Sequence, residues 1–96
     1  MSGPYDLTGY VVTSRAGRDK DRSFLVVGML GADHVLLADG TLRKLSKPKK
    51  KKLKHVTIEK DVAEGIKVKL SEGKQVFDAE IRKTLIHLGY NTGQQD

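Results

Sequence analysis

The apolar positions in the first half of the chain fall into short runs with the length of β-strands. Residues 7–14 and 23–30 are rich in β-branched, aromatic and aliphatic side chains, and residues 34–38 form a third run. A short run that is apolar on both faces is typical of a strand inside a sheet. The pattern therefore predicts two strands joined by a charged loop at residues 15–22, followed by a central third strand.

Turn signals predict how the sheet continues. Gly31-Ala32-Asp33 predicts a tight turn, and Asp39-Gly40 predicts a type I′ hairpin, which needs positive φ at both central residues. Residues 41–45 should then return as a fourth strand, and residues 55–58 could pair as a fifth. Strands joined by such short connections predict a mainly β fold, a small antiparallel barrel.

The chain after the fifth strand changes towards the spacing of helices. Every fourth residue from Val62 to Leu70 is apolar, behind an acidic capping pattern at Asp61 and Glu64. The same stretch also alternates between polar and apolar residues as a strand does. Helix and strand therefore remain alternatives for residues 61–72, with helix favoured.

The final element is a second predicted helix. Asp78 can cap its start, Ile81, Leu85 and Leu88 form one apolar stripe, and Gly89 follows as the stop. Whether this extension packs on the barrel or on a partner is open. The predicted organisation is therefore a barrel segment at residues 1–58, including a basic arm at 46–55, and a helical C-terminal extension at 59–96 that ends in a frayed tail.

The positive charge lies in the first segment. The net charge is +6, yet residues 1–55 hold 12 Lys/Arg against 5 Asp/Glu, whereas residues 56–96 hold 6 against 7. Six of the nine residues at 46–54 are lysine, and self-repulsion together with Pro48 predicts an extended or partly disordered arm. Such asymmetry indicates a polyanionic partner. Attachment to lipid usually adds an apolar face or a lipid anchor, and only Leu53 interrupts this lysine run, so we expect nucleic acid rather than lipid.

Residue types that carry catalysis or bind metals are sparse. The chain has no cysteine, its three histidines are scattered, and its serines lack a nucleophile-elbow pattern. We therefore expect no enzyme activity, metal or cofactor. The N-terminus lacks the features of a secretion signal, and the longest apolar run is too short to cross a bilayer, so we expect a cytoplasmic protein without membrane attachment.

One stretch also carries a family resemblance. Gly9 opens the first strand, and the pair Val11-Val12 follows. The loop begins with Ala16-Gly17-Arg18. Two cations, Lys20 and Arg22, then lead into the apolar residues 24–27. This arrangement resembles the KOW motif of several ribosomal proteins and transcription elongation factors. Asp21 stands where the family typically has glycine.

The resemblance covers roughly residues 7–55. Two further segments, Ala38-Asp39-Gly40 and Pro48-Lys49-Lys50, resemble segments of small KOW proteins. Those proteins are related to large-subunit ribosomal proteins of the archaeal and eukaryotic kind. The resemblance implies an SH3-like form for the barrel and an RNA-binding role, with ribosomal RNA as the expected partner of a ribosomal or ribosome-associated protein.

The expected RNA-binding residues are the arginines and lysines of the loop, of the predicted hairpin and of the arm. They are Arg15, Arg18, Lys20, Arg22, Arg43, Lys44, Lys47, Lys49, Lys50, Lys51, Lys52 and Lys54. In a simpler interpretation, Asp19 and Asp21 only neutralise the cations of their own loop. The alternative function is a protein-interaction module of a transcription or translation factor complex, in which the C-terminal helix docks a partner such as a ribosomal protein.

Overall fold

The computed structural model of the chain describes residues 6–92, so the start of the N-terminus and residues 93–96 of the predicted tail lie outside the described residues. The described part is mainly β, with five strands, one turn of 3₁₀ helix and two α-helices. These are β1 (Tyr10–Ser14), β2 (Ser23–Leu30), β3 (His34–Ala38), β4 (Lys49–Lys52), the 3₁₀ turn (Leu53–His55), β5 (Val56–Val62), α1 (Glu64–Ser71) and α2 (Asp78–His87).

The five strands form one antiparallel sheet in the order β4-β3-β2-β1-β5. Each of the first three strands pairs with the next strand along the chain, and β5 returns to pair with β1. Val12 of β1 consequently lies between Phe24 of β2 and Ile58 of β5. β4 and β5 are the two edges of the sheet, and closure into a barrel is not seen in the described residues.

The sheet buries apolar side chains on both faces, which explains why β2 and β3 in its interior are nearly continuous apolar runs. On one face, Val11 and Leu25 pack with Ile81 and Leu85 of α2. On the other face, a separate cluster forms around Phe24 and contains no residue of α1 or α2. That cluster is almost fully buried, and Leu7, before β1, and Leu53, of the 3₁₀ turn, pack against it together with Met29.

The predicted type I′ turn and the predicted strand at residues 41–45 are both wrong. Gly40 has φ +80°, but Asp39 does not have positive φ. The Asp39 carboxylate instead accepts hydrogen bonds from the backbone N–H groups of Thr41 (2.9 Å) and Arg43 (2.8 Å). This local bonding competes with a strand ladder. Residues 39–48 therefore form an irregular connection, the β3–β4 loop.

Of the two predicted alternatives for the lysine run, extended or partly disordered, the structure has the extended one, as a β-strand at Lys49–Lys52. Lys49 to Lys52 pair with β3, so that Lys51 lies opposite Val35. β3 offers an unpaired backbone edge, and alternate side chains in a strand point to opposite faces, which separates neighbouring charges. An edge strand made of lysine also discourages pairing with another chain.

Residues 61–72 contain both of the predicted alternatives. β5 continues to Val62, past the predicted segment boundary at residue 58, and α1 follows from Glu64 to Ser71. The capping role predicted for Asp61 is wrong, because Asp61 lies in β5 and accepts a hydrogen bond from the Tyr90 hydroxyl at 2.5 Å.

The last helix begins at the predicted position, and its packing is now clear. Ile81 and Leu85 are buried against the sheet. Asp78 does not cap α2; its Oδ1 accepts a hydrogen bond from the backbone N–H of Leu45 at 2.8 Å. α2 is therefore docked both on the sheet and on the β3–β4 loop.

Candidate nucleic-acid interface

The charged loop between β1 and β2, residues 15–22, is closed at its base by backbone hydrogen bonds. Ser14 N–H donates to the Arg22 carbonyl at 3.0 Å, and Asp21 N–H donates to the Ser14 carbonyl at 2.8 Å. Asp21 has φ +71°, the left-handed conformation that glycine adopts most readily. The backbone at Asp21 is therefore one that a glycine would adopt at lower cost.

The lysine strand lies directly beside this loop. The Lys51 ammonium donates a hydrogen bond to the Ala16 carbonyl at 2.9 Å, and the Arg15 N–H donates to the His55 carbonyl at 2.8 Å. A Cβ built on Gly17 would lie 3.6 Å from the same Lys51 ammonium. The two basic elements predicted from the sequence therefore meet at one surface.

The lysines of β4 do not share one face. Lys49 and Lys51 are half-buried, whereas Lys50 and Lys52 are exposed. This alternation follows from the pleat, since successive residues of a strand point in opposite directions. A single flat ligand therefore cannot contact all four side chains in the same way, and Lys51 is the one that contacts the β1–β2 loop.

Two of the predicted arginines form ion pairs that join the two loops. The Arg43 guanidinium lies 3.0 Å from Asp19, and the Arg22 guanidinium is bonded to Asp39. The Asp39 side chain is fully buried, and only 11% of the Arg22 side chain is exposed. Each loop thus contributes one arginine and one aspartate to a reciprocal pair, which fixes the β1–β2 loop against the β3–β4 loop.

These pairs change the expected role of the acidic residues. Asp19 neutralises Arg43 of the other loop rather than a cation of its own loop. No local sequence signal predicts this arrangement, because the paired residues are 17 and 24 positions apart. Arg22 and Arg43 are therefore structural links first, although 32% of the Arg43 side chain remains exposed.

The remaining predicted residues keep their charge available. Within residues 6–92, none of the other ten forms an ion pair. They are Arg15, Arg18, Lys20, Lys44, Lys47, Lys49, Lys50, Lys51, Lys52 and Lys54. The surface around the two loops therefore carries a positive excess that its own carboxylates do not cancel.

A groove of about 490 Å³ opens between the β3–β4 loop and the start of β4. Five cations line it, and no acidic residue does: Arg43, Lys44, Lys47, Lys49 and Lys50. Because like charges converge there, the groove is a favourable place for an anion.

One carboxylate reduces the positive excess at the far end of β4. The His34 side chain, 2.9 Å away, lowers the pKa of the Asp33 carboxyl by hydrogen bonding and by charge, and Lys52 adds to the effect. Lys52 lies opposite His34 in the sheet. The last lysine of the strand therefore partly balances Asp33, and the uncompensated charge lies nearer to the β1–β2 loop.

No pattern in the sequence predicted that α2 supports the β3–β4 loop. A Cβ on Gly40 would lie 2.2 Å from the Asp78 carbonyl oxygen, so only glycine fits against the start of the helix. The Arg82 guanidinium donates to the Gly40 carbonyl at 3.3 Å. Beyond the helix, the Asn91 amide exchanges two hydrogen bonds with the backbone of Ser23, at 3.0 and 2.9 Å. The C-terminal segment thus braces both basic loops.

Across residues 6–92, no three His, Asp or Glu side chains are grouped so that they could hold a metal ion. Neither described helix is long and apolar enough to span a bilayer. Comparison with protein-family models and with curated proteins found no match to this sequence.

Proposed function

We propose that this protein binds structured RNA through the surface formed by the β1–β2 loop and the lysine strand. The observation that carries the proposal is the contact between Lys51 and Ala16, which joins the two basic elements. In line with the KOW resemblance, ribosomal RNA is the proposed partner, and the protein acts in the cytoplasm as a ribosomal or ribosome-associated protein without a catalytic step.

We propose that the five strands, β1 to β5, together form an SH3-like barrel. Three features support it: the meander of four strands, the return of β5 to pair with β1, and the 3₁₀ turn that leads into β5. The buried cluster around Phe24, which no helix covers, supports a strongly curled sheet. This form would present the loops at its rim, where a rigid scaffold can position binding residues.

The exposed side chains suit phosphate and unpaired bases. Arg15 and Arg18 are exposed, and a guanidinium can fork onto phosphate oxygens and stack on bases. Lys20 and the lysines of the β3–β4 loop act as hydrated point charges that supply affinity and association rate. Contact with about six phosphates should give a slope of roughly −4 to −5 in log affinity against log salt.

The burial of the α2 stripe weakens the alternative of a protein-interaction module. The residues expected to dock a partner, Ile81 and Leu85, already pack against the sheet. A partner could reach them only if the helix left the sheet, which would expose Val11 and Leu25 to water. For the same reason, deletion of the C-terminal segment would unfold the domain and cannot serve as a test of function.

A pair of charge-matched variants tests the proposal in the full chain. The site variant is Arg15→Ala, Arg18→Ala and Lys20→Ala; the control is Lys60→Ala, Lys74→Ala and Lys83→Ala, which removes three exposed cations elsewhere. Binding to ribosomal RNA fragments is measured by fluorescence anisotropy at salt concentrations from about 50 to about 300 mM. We expect the site variant to flatten the salt slope by about 2 to 3 and the control to change it little. Equal losses in the two variants would refute the proposed surface.

A further inference from the structure

The groove beside β4 combines a cationic rim with apolar surface. Leu42 lines it and is 61% exposed, the largest exposure among the large hydrophobic residues of residues 6–92. Pro48 also lines it, while Lys44, Lys47 and Lys50 carry charges around the same space. Phosphate contacts alone need no apolar wall, so the groove fits a ligand that is anionic at one point and apolar at another.

Hydrogen bonds fix the conformation of the loop that lines the groove. The Asp39 carboxylate bonds to two backbone N–H groups of the β3–β4 loop, the Lys47 N–H donates to the Lys44 carbonyl at 2.9 Å, and Leu45 is held by Asp78. The groove volume of about 490 Å³ lies within the range of small-ligand sites, about 300–1,000 Å³. A nucleotide-sized group can therefore enter without reshaping the loop.

We propose that this groove receives one unpaired nucleotide of the bound RNA. Its base lies against Leu42 and Pro48, and the surrounding lysines neutralise the adjoining phosphates. A base inside a regular A-form helix is stacked and cannot enter, whereas a bulged or looped base can be turned out. The inference rests on the proposed function and deepens it, because it names the class of RNA: a helix interrupted by a single unpaired nucleotide.

The test compares two labelled RNA hairpins, one fully paired and one that differs only by a bulged adenine. Affinities are measured by anisotropy at one salt concentration. We expect the wild type to bind the bulged hairpin about fivefold more tightly than the paired hairpin. This factor corresponds to about 40 Å² of apolar surface that the base and the groove remove from water. Leu42→Ser should lower this ratio to about one without changing the affinity for the paired hairpin.

Matched variants separate the groove from general effects. Leu30→Ser changes another exposed leucine, 46% exposed at the end of β2, and should keep the fivefold ratio. Leu42→Phe offers a larger apolar platform and should raise the ratio. Thermal denaturation checks that each variant is folded, and 2-aminopurine at the bulge should brighten on binding to wild type but less on binding to Leu42→Ser.

The outcomes distinguish the inference from the function on which it rests. Equal binding of the two hairpins by wild type, or a ratio that survives Leu42→Ser, would overturn the nucleotide groove and leave RNA binding intact. Failure of the wild type to bind either hairpin at low salt would overturn the groove and the proposed function together.

Discussion

At the scale of single residues, Asp39 does the most to shape the basic surface. Its carboxylate bonds the Arg22 guanidinium and two backbone N–H groups of its own loop, and it is fully buried. The sequence presents the same residue as half of a hairpin signal. A buried aspartate with three donors organises an irregular loop instead, because its side chain satisfies backbone groups that a ladder would otherwise bond.

Asp39→Asn should therefore destabilise the protein by about 2 to 4 kcal/mol, because it leaves the largely buried Arg22 charge without its carboxylate partner. Urea denaturation at pH 7 measures the change in the free energy of unfolding. Asp21→Asn is the control, since Asp21 is exposed and asparagine tolerates its left-handed backbone. We expect that control to change stability by less than about 0.5 kcal/mol. Similar effects of the two substitutions would contradict the structural role of Asp39.

Tyr90 gives a second prediction at the residue scale. Burial and the hydrogen bond to Asp61 raise the pKa of Tyr90 to about 12, above its ordinary value of 10.0. A raised pKa stabilises the fold while the hydroxyl is protonated, so this contribution is complete below pH 10 and is lost as the pH rises through 12. Tyr90→Phe should be less stable than wild type at pH 7.

The difference between Tyr90→Phe and wild type should shrink between pH 10 and 12. Urea denaturation across this interval measures the free energy of unfolding of both proteins. Lysines lose their protons in both proteins alike, so that effect cancels in the difference. A difference that stays constant to pH 12 would show that folding does not raise the pKa of Tyr90.

At the scale of elements, α2 is a brace for the β3–β4 loop as well as a cover for the sheet. Its first turn touches Gly40 so closely that a methyl group would lie 2.2 Å from the Asp78 carbonyl oxygen. The same turn holds Leu45 through the Asp78 carboxylate. The helix therefore determines where the lysines of that loop stand, although it contributes none of the proposed RNA-binding residues.

Substitution of glycines separates this close approach from backbone strain. Gly40→Ala should cost about 2 to 4 kcal/mol, from the left-handed backbone and the clash with α2 together. Gly73→Ala is the control, since Gly73 has φ +72° and open space around it, and it should cost only about 1 to 2 kcal/mol. Thermal denaturation compares the two, and equal losses would show that α2 does not press on the loop.

Local patterns predicted the elements that bury their own apolar faces. β1, β2, β3 and α2 follow apolar runs or a stripe, and the structure has them close to the predicted bounds. β4 could not be predicted, because a lysine run has no strand pattern and pairs only through the free edge of β3. The reciprocal ion pairs could not be predicted either, because their partners are far apart in sequence and meet only in the folded sheet.

At the scale of the whole molecule, the fold brings the positive charges of the β1–β2 loop and of the lysine strand together at one surface. Two carboxylates that could have neutralised the surface are used to join the loops, and ten of the predicted cations remain without an ion pair in residues 6–92. Such a field raises the rate and affinity of binding to a polyanion and weakens with salt. The sequence alone identifies these cations, whereas the fold was needed to show that Arg22 and Arg43 link the two loops.

The proposed RNA-binding surface joins the β1–β2 loop to the lysine strand. Titration of the ¹⁵N-labelled full chain with a ribosomal RNA fragment, followed by amide chemical shifts, locates the binding surface residue by residue. We expect the perturbed amides to cluster at residues 15–20 and 49–54, with little change in α1 and at the exposed end of β5. Perturbations confined to α1 and α2, with the two basic elements unaffected, would contradict it.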